Sequence, residues 1–301
     1  MNILILGAGG VGGYVGALLA RGGAEVSLVA RGAHLEAIRE KGLTVVEDEG
    51  SWNFRPEAAV ADPSGLGIFD LILVTVKHTS LEESLGLIAE NVGPGSVILP
   101  LLNGVEHRRE ILARYPDADV LEGCIYILSH IERPGVVRKK GGIFRLCWGR
   151  EGFDPSEYAS IRELFERALP RHKPTARIAE EQWKKYLFIA SMAALTSYYG
   201  VSMDRIAREH GDELEALMGE IAALARAKGV RLEEETLRKS LEQARRVLPG
   251  AKTSMQRDLE QNKPAEIEAL LGTVVREGRR LRVPTPIMER LYETLRNLQR
   301  P

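Results

Sequence analysis

Short apolar runs alternate with helical patterns through the first half of the chain. Ile3 to Leu6, Val26 to Ala30, Leu71 to Val76 and Val97 to Leu101 read as continuous buried strands. Helical periodicity follows most of them, over Val11 to Arg21, His34 to Lys41, Leu81 to Asn91 and Val105 to Tyr115. Strands buried on both faces and separated by helices predict an α/β domain with a doubly wound parallel sheet. Val120 to Ile131 and Ile143 to Trp148 read as further strands near the end of that sheet, with Pro134-Gly135 as the turn between them. From Glu180 the pattern becomes helical throughout. Glu180 to Tyr199 is long and largely apolar, which predicts a central buried helix. Asp212 to Lys228, Glu233 to Val247, Ala265 to Leu281 and Ile287 to Leu298 follow it. Pro170 and Pro174 bracket a short polar stretch, so the expected division is an α/β domain over 1–170 and an all-helical domain over 171–301.

Composition mainly excludes. A formal net charge of -1 gives no electrostatic reason to expect nucleic acid or an anionic membrane as partner. No segment is apolar for the ~18 residues a membrane span needs. Met1 leads into Asn-Ile-Leu-Ile-Leu-Gly with no basic flank and no small-residue cleavage site, so no signal peptide is expected and the expected compartment is the cytoplasm. Cys124 and Cys147 sit in strand-like apolar stretches and read as buried thiols. No Cys/His cluster has metal-ligand spacing, so no metal is expected. The six histidines are scattered and receive no catalytic role.

Gly7-Ala8-Gly9-Gly10-Val11-Gly12 is a G-x-G-x-x-G that follows a predicted strand and opens a predicted helix. Gly7 allows a tight turn, Gly9 a close backbone approach to a pyrophosphate, and Gly12 close packing of helix on strand. The motif therefore predicts dinucleotide binding. An acid at the end of the second strand would hold the ribose 2′-hydroxyl of NAD. Arg31 stands there instead, nineteen residues after Gly12 (31 − 12). A guanidinium suits a 2′-phosphate, so NADP(H) is favoured over NAD(H). Lys77 closes Phe69-Asp-Leu-Ile-Leu-Val-Thr-Val-Lys at the carboxyl end of a strand, where such sheets bind ligands.

Further stretches extend over nearly the whole chain: Val74-Thr-Val-Lys77, Leu101-Leu-Asn103-Gly104, Glu132-Arg-Pro-Gly-Val136, Trp183-Lys-Lys185, and Ser254-Met-Gln-Arg-Asp-Leu259 followed by Ala265-Glu266-Ile267. In this order, with the glycine motif and Arg31, they resemble ketopantoate reductases. The resemblance implies a Rossmann domain plus a helical domain, with the active site in a cleft between them. It implies hydride transfer from NADPH to the keto carbon of a 2-keto acid, which in the ketopantoate case makes pantoate for pantothenate synthesis. Lys185 matches the lysine that protonates the forming alkoxide. Asn103, Ser254 and Glu266 match residues that bind and orient substrate, and Lys77 and Asn103 stand toward the cofactor. The chemistry is coherent. A hydride arriving at a carbonyl carbon leaves charge on oxygen, which a nearby ammonium stabilises and protonates. The apolar run Tyr186-Leu-Phe-Ile-Ala predicts a depressed pKa for Lys185. Without the resemblance, Lys184 would be an equal candidate.

The chain also departs from the family pattern. Ile189 and Ala193 stand four and eight positions after Lys185, where family members commonly carry asparagines, and Met203 stands where a further one is often found. An apolar wall discriminates weakly for a substrate hydroxyl. Two alternatives stay open: a reductase of the same type acting on another 2-keto acid or carbonyl compound, and an NADPH-binding sensor whose helical domain contacts a partner. The sequence leaves a homodimer open.

Overall fold

The computed structural model describes residues 1–299. Those residues pack as two compact units. The first comprises Met1–Leu102 and His107–Ile178, and the second Asn103–Glu106 and Ala179 onward.

The first unit holds two sheets. In the six-stranded parallel sheet, β1 (Asn2–Leu6) is central, flanked by β2 (Glu25–Val29) and the strand Leu71–Val74. Chain order through this unit continues with β3 (Leu43–Glu47), β4 (Gly50–Phe54), β5 (Ala58–Val60), β6 (Leu71–Val74), β7 (Val97–Pro100) and β8 (Asp119–Val120). The parallel sheet runs β5-β2-β1-β6-β7-β8. Ile3 and Ile5 enter one apolar cluster while Leu4 and Leu6 enter another, so both faces of β1 are buried. That double burial is why the strand reads as an unbroken apolar run.

The helices α1 (Gly10–Arg21), α2 (Gly32–Lys41), α3 (Leu81–Leu87) and α4 (His107–Arg114) connect these strands. Tyr14, Val15 and Leu19 of α1 pack on the Ile3 face, and Leu81, Leu85 and Ile111 of α3 and α4 pack on the Leu4 face.

The long strands β9 (Glu122–Arg133) and β10 (Val136–Gly149) do not extend the parallel sheet, contrary to the sequence expectation. They pair antiparallel through the turn at Pro134-Gly135, where Gly135 has φ +74°. A tight turn can only return a strand antiparallel. β10 also pairs with β3 and with β11 (His172–Pro174), so the polar stretch beside Pro170 contains a strand. Cys124 and Cys147 lie opposite one another on β9 and β10 as buried thiols. Val45, Val137, Phe144, Leu146 and Trp148 of this second sheet share a core with α1, which lies between the sheets, and with α5 (Ala159–Ala168), which packs against α1 and β11.

The second unit is all-helical. α6 (Ile178–Tyr199) enters its core through Tyr186, Leu187, Ala190, Ala194 and Leu195. Around it stand α7 (Met203–Glu209), α8 (Gly211–Ala227), α9 (Glu234–Arg245), α10 (Ser254–Glu260), α11 (Thr273–Leu281) and α12 (Pro286–Leu298). The sequence pattern missed α7 and α10, each too short for its periodicity to stand out. The expected helix over 265–281 is interrupted, because Glu268–Gly272 is a π-helical turn ahead of α11. No described helix is long and apolar enough to cross a membrane.

Candidate active site

The first constellation is the loop between β1 and α1. Gly7 has φ +106°, a backbone that disfavours side chains. A Cβ on Gly12 would come within 2.2 Å of both the Gly7 carbonyl oxygen and Thr75 Oγ1, so only glycine lets the helix sit on the strand here. A Cβ on Gly10 would meet the β9 backbone at Ser129 and His130 at 2.7 Å. Gly9 differs: nothing lies within 4 Å of its missing Cβ. Gly9 caps α1 without a side-chain hydrogen bond, and the first turn carries no acid. The helix therefore presents Gly10 and Val11 with a positive dipole end and no internal counter-charge, which fits a pyrophosphate.

Two side chains and one backbone hydrogen bond fix this loop. Thr75 Oγ1 donates to the Gly7 carbonyl at 2.7 Å. The Ala8 N–H donates to Val29 O at 2.8 Å. His34, given no role from sequence, joins the loop to the β9–β10 turn: its Nε2 lies 2.9 Å from Ala8 O, and its Nδ1 accepts from Gly135 N–H at 3.0 Å. Because Gly135 must be the donor, Nε2 carries the proton. Burial holds this imidazole below its ordinary pKa, which keeps it neutral. Arg31 caps α2 at the end of β2 and is exposed, paired with Glu83 of α3 at 2.9 Å. Lys77 is exposed just beyond β6.

The second constellation belongs to the helical unit. Lys185 Nζ donates to Asn103 Oδ1 at 2.9 Å. Lys184, its neighbour, instead approaches Glu180 one turn back on the same helix at 4.0 Å. The two lysines thus have different directions and different partners. Asn103 precedes Gly104, which has φ +128°. The segment Asn103–Glu106 is anchored by Lys228 at the end of α8, whose ammonium donates to Glu106 at 2.8 Å and to Glu277 of α11 at 2.6 Å. Glu277 is hydrogen-bonded by Arg280 and then by Lys228, which outweighs burial and pulls its carboxyl down to about 2.

Glu266 is buried at 7% exposure. It immediately precedes the helical segment that opens into the π turn, and its carbonyl accepts from Leu270 N–H at 3.0 Å. Tyr186, next to Lys185, donates its hydroxyl to Leu270 O at 2.7 Å inside that turn. Burial raises this phenol's pKa far above the ordinary range, so it remains a donor. A π turn leaves carbonyls out of the regular ladder, and one side chain from α6 satisfies them. Ser254 is exposed as the first residue of α10, with Thr253 as the cap. Thr253 Oγ1 lies 3.0 Å from Thr196 Oγ1 of α6. Helix α6 therefore carries Lys185 and also holds the starts of the segments bearing Glu266 and Ser254. Tyr186, Thr196 and Lys228 escaped sequence reading because each acts through another group and carries no motif. Ala193 is buried and Ile189 half-buried, both packed in the apolar core of this unit.

Comparison with known proteins agrees with this layout. The signature described as Ketopantoate reductase PanE/ApbA matches residues 3–150, and that of the Ketopantoate reductase PanE/ApbA C terminal matches 177–299. An uncharacterized oxidoreductase of Bacillus subtilis, YkpB, is 31% identical over 306 residues, covering 98% of this chain and 98% of its own length. The 2-dehydropantoate 2-reductase of Mesorhizobium japonicum is 30% identical over 328 residues, covering 99% of this chain and 98% of its own. The crystal structure of 2-dehydropantoate 2-reductase from Methylococcus capsulatus superposes with a TM-score of 0.89 at 31% identity, covering 99% of this chain and 97% of the other. With both of its halves matched in order, a parallel sheet opened by a glycine loop and a lysine held by an asparagine on the helical side, the chain belongs to the ketopantoate reductase family and is an oxidoreductase of that 2-keto acid-reducing group.

Proposed function

We propose that the protein reduces 2-dehydropantoate to pantoate with NADPH, with Lys185 as the proton donor. The observation that carries the reading is the 2.9 Å hydrogen bond from Lys185 Nζ to Asn103 Oδ1, made while Lys184 turns to Glu180. When bound, the reduced nicotinamide supplies the hydride. Gly7, Ala8, Gly9, Gly10, Val11 and Gly12 would hold its pyrophosphate, Arg31 its 2′-phosphate, and Lys77 and Asn103 would stand toward its other end. The open space over Gly9 supports the first of these roles and the exposed guanidinium of Arg31 the second. Use of Arg31 requires that it leave Glu83, an exposed pair worth little.

On the substrate side, Asn103 orients the Lys185 ammonium by accepting one of its three protons. A second proton can then point at the keto oxygen. As charge develops there, the ammonium stabilises it and delivers the proton. Glu266 and Ser254 bind the polar end of the substrate in this reading.

The test is NADPH oxidation followed by absorbance, with 2-dehydropantoate and a panel of other 2-keto acids. Turnover of 2-dehydropantoate ahead of the panel is the expected result. A second reading, reduction of a different 2-keto acid, is favoured by the apolar Ile189 and Ala193, which offer a substrate no hydrogen bond. It predicts that another panel member is the better substrate. Tight NADPH binding without turnover of any member would overturn both.

A further inference from the structure

The loop following β6 and the first turn of α4 bring three ligand-type side chains together that the chemistry above does not use. His78 opens a short 3₁₀ turn, His78–Ser80, immediately after Lys77. His107 and Glu110 are one turn apart on α4 and share a face. His78 Nε2 lies 3.1 Å from each Glu110 carboxylate oxygen, and His107 Nδ1 lies 3.5 Å from Glu110 Oε2. The ligand atoms of all three lie within 4.8 Å of one another.

We propose that His78, His107 and Glu110 form a binding site for a divalent first-row transition metal ion, zinc foremost. Zinc binds imidazole nitrogen and carboxylate oxygen at about 2.0–2.2 Å in a tetrahedron, which puts neighbouring ligand atoms roughly 3.3 Å apart. The His–Glu separations of 3.1 and 3.5 Å already bracket that value, so an ion needs little rearrangement of these side chains. Two imidazoles and one carboxylate are also a donor set that prefers zinc over calcium or magnesium, which take oxygen ligands. Exposure is graded in a way that suits access: His107 is 4% exposed, His78 20% and Glu110 33%, so one ligand is sunk and two stand at the surface. A purely structural ion pair would need one imidazole on the carboxylate, and here two converge on it, their rings 5.6 Å apart.

The site escapes a sequence search because the histidines are 29 positions apart (107 − 78) and meet only when β6 and α4 pack on the same sheet. It does not rest on the reductase reading, since metal binding is measured without turnover. The experiment titrates ZnCl2 into untagged, metal-stripped full-length protein in competition with a chromophoric chelator. One ion per chain is expected. His107→Ala and Glu110→Gln should each weaken binding at least on the order of 10²-fold, because even groups supporting a ligand from behind are worth 10–100-fold. His78→Gln, at a position less buried than His107, serves where His107→Ala unfolds the protein, and His210→Ala is the unaffected control. Cobalt(II) added in place of zinc should give the intense visible bands of a tetrahedral site. Substoichiometric binding, or binding unchanged in the His78 and Glu110 variants, would overturn the proposal and leave a carboxylate shared by two imidazoles.

Discussion

In the proposed reading, the glycine loop works through side chains that are missing and the region around α6 through side chains that are present. Gly12 admits no Cβ because the Gly7 carbonyl and Thr75 Oγ1 would stand 2.2 Å from it. Gly9 leaves open space for a ligand to approach the backbone. The groups proposed to hold a pyrophosphate are N–H groups, which every residue type except proline carries, so the demand falls on six consecutive positions. Around α6, the proposed recognition would depend on what Lys185, Asn103, Glu266 and Ser254 project, and they come from stretches spread over 164 positions (266 − 103 + 1). None of those residue types is unusual on a surface. The first kind of site is local and written in backbone tolerance. The second is distributed and held by intermediaries such as Tyr186, Thr196 and Lys228.

The sharpest way to break that contrast is on α6. Lys185→Ala should fold and keep its cofactor affinity but lose at least ~10² in kcat, the scale of acid catalysis. Lys184→Ala should be nearly silent, since its partner is the helix's own Glu180. Steady-state kinetics on the pair checks this; the reverse outcome would mean that the ammonium facing Asn103 is not the donor.

Next in size is a test within the loop itself. Gly12→Ala must displace backbone and should cost about 1–3 kcal/mol, the range for overpacking, read as a fall in Tm. Gly9→Ala should leave Tm unchanged and weaken NADPH binding. If both variants behaved alike, packing and ligand approach would not be separate duties of this loop.

Arg31→Ala should weaken NADPH binding by roughly 10-fold, as expected for losing a charge-assisted hydrogen bond of about 1.5 kcal/mol or more, and leave NADH binding nearly unchanged. Equal affinity of the unmodified protein for NADPH and NADH would remove the 2′-phosphate role.

The smallest expected effect concerns the anchor of the Asn103 segment. Glu277 is held down to about 2 from an ordinary 4.5, so its folded pKa is the depressed one. Its contribution is then complete above about 4.5 and is lost as pH falls toward 2. With Arg280 largely exposed, about 2 kcal/mol of acid-sensitive stability is expected. Denaturant unfolding across that window should show a shallower pH slope for Glu277→Gln than for the unmodified protein.

Much of this architecture was legible in the residues alone. Runs such as Ile3–Leu6 and Leu71–Val74 are buried on both faces, and double burial leaves an unbroken apolar signature. The glycine motif and the long helix over 180–199 were equally plain, one through what glycine alone allows, the other through sustained periodicity. The second sheet was legible only in part: β9, β10 and the turn between them read as strands and turn, but not as a separate sheet. β3 and β4 are five residues each and only partly buried, so nothing in their pattern shows that β10 will pair with β3. Lys184 and Lys185 are adjacent and chemically identical, and only the packing of α6 decides which ammonium meets Asn103. The same holds for His78, which meets Glu110 and His107 of α4 only because the loop after β6 packs beside that helix. Sequence determines local geometry because propensity, periodicity and glycine tolerance act between near neighbours. Convergence of distant side chains is decided by tertiary packing, since it depends on which elements bury their faces together.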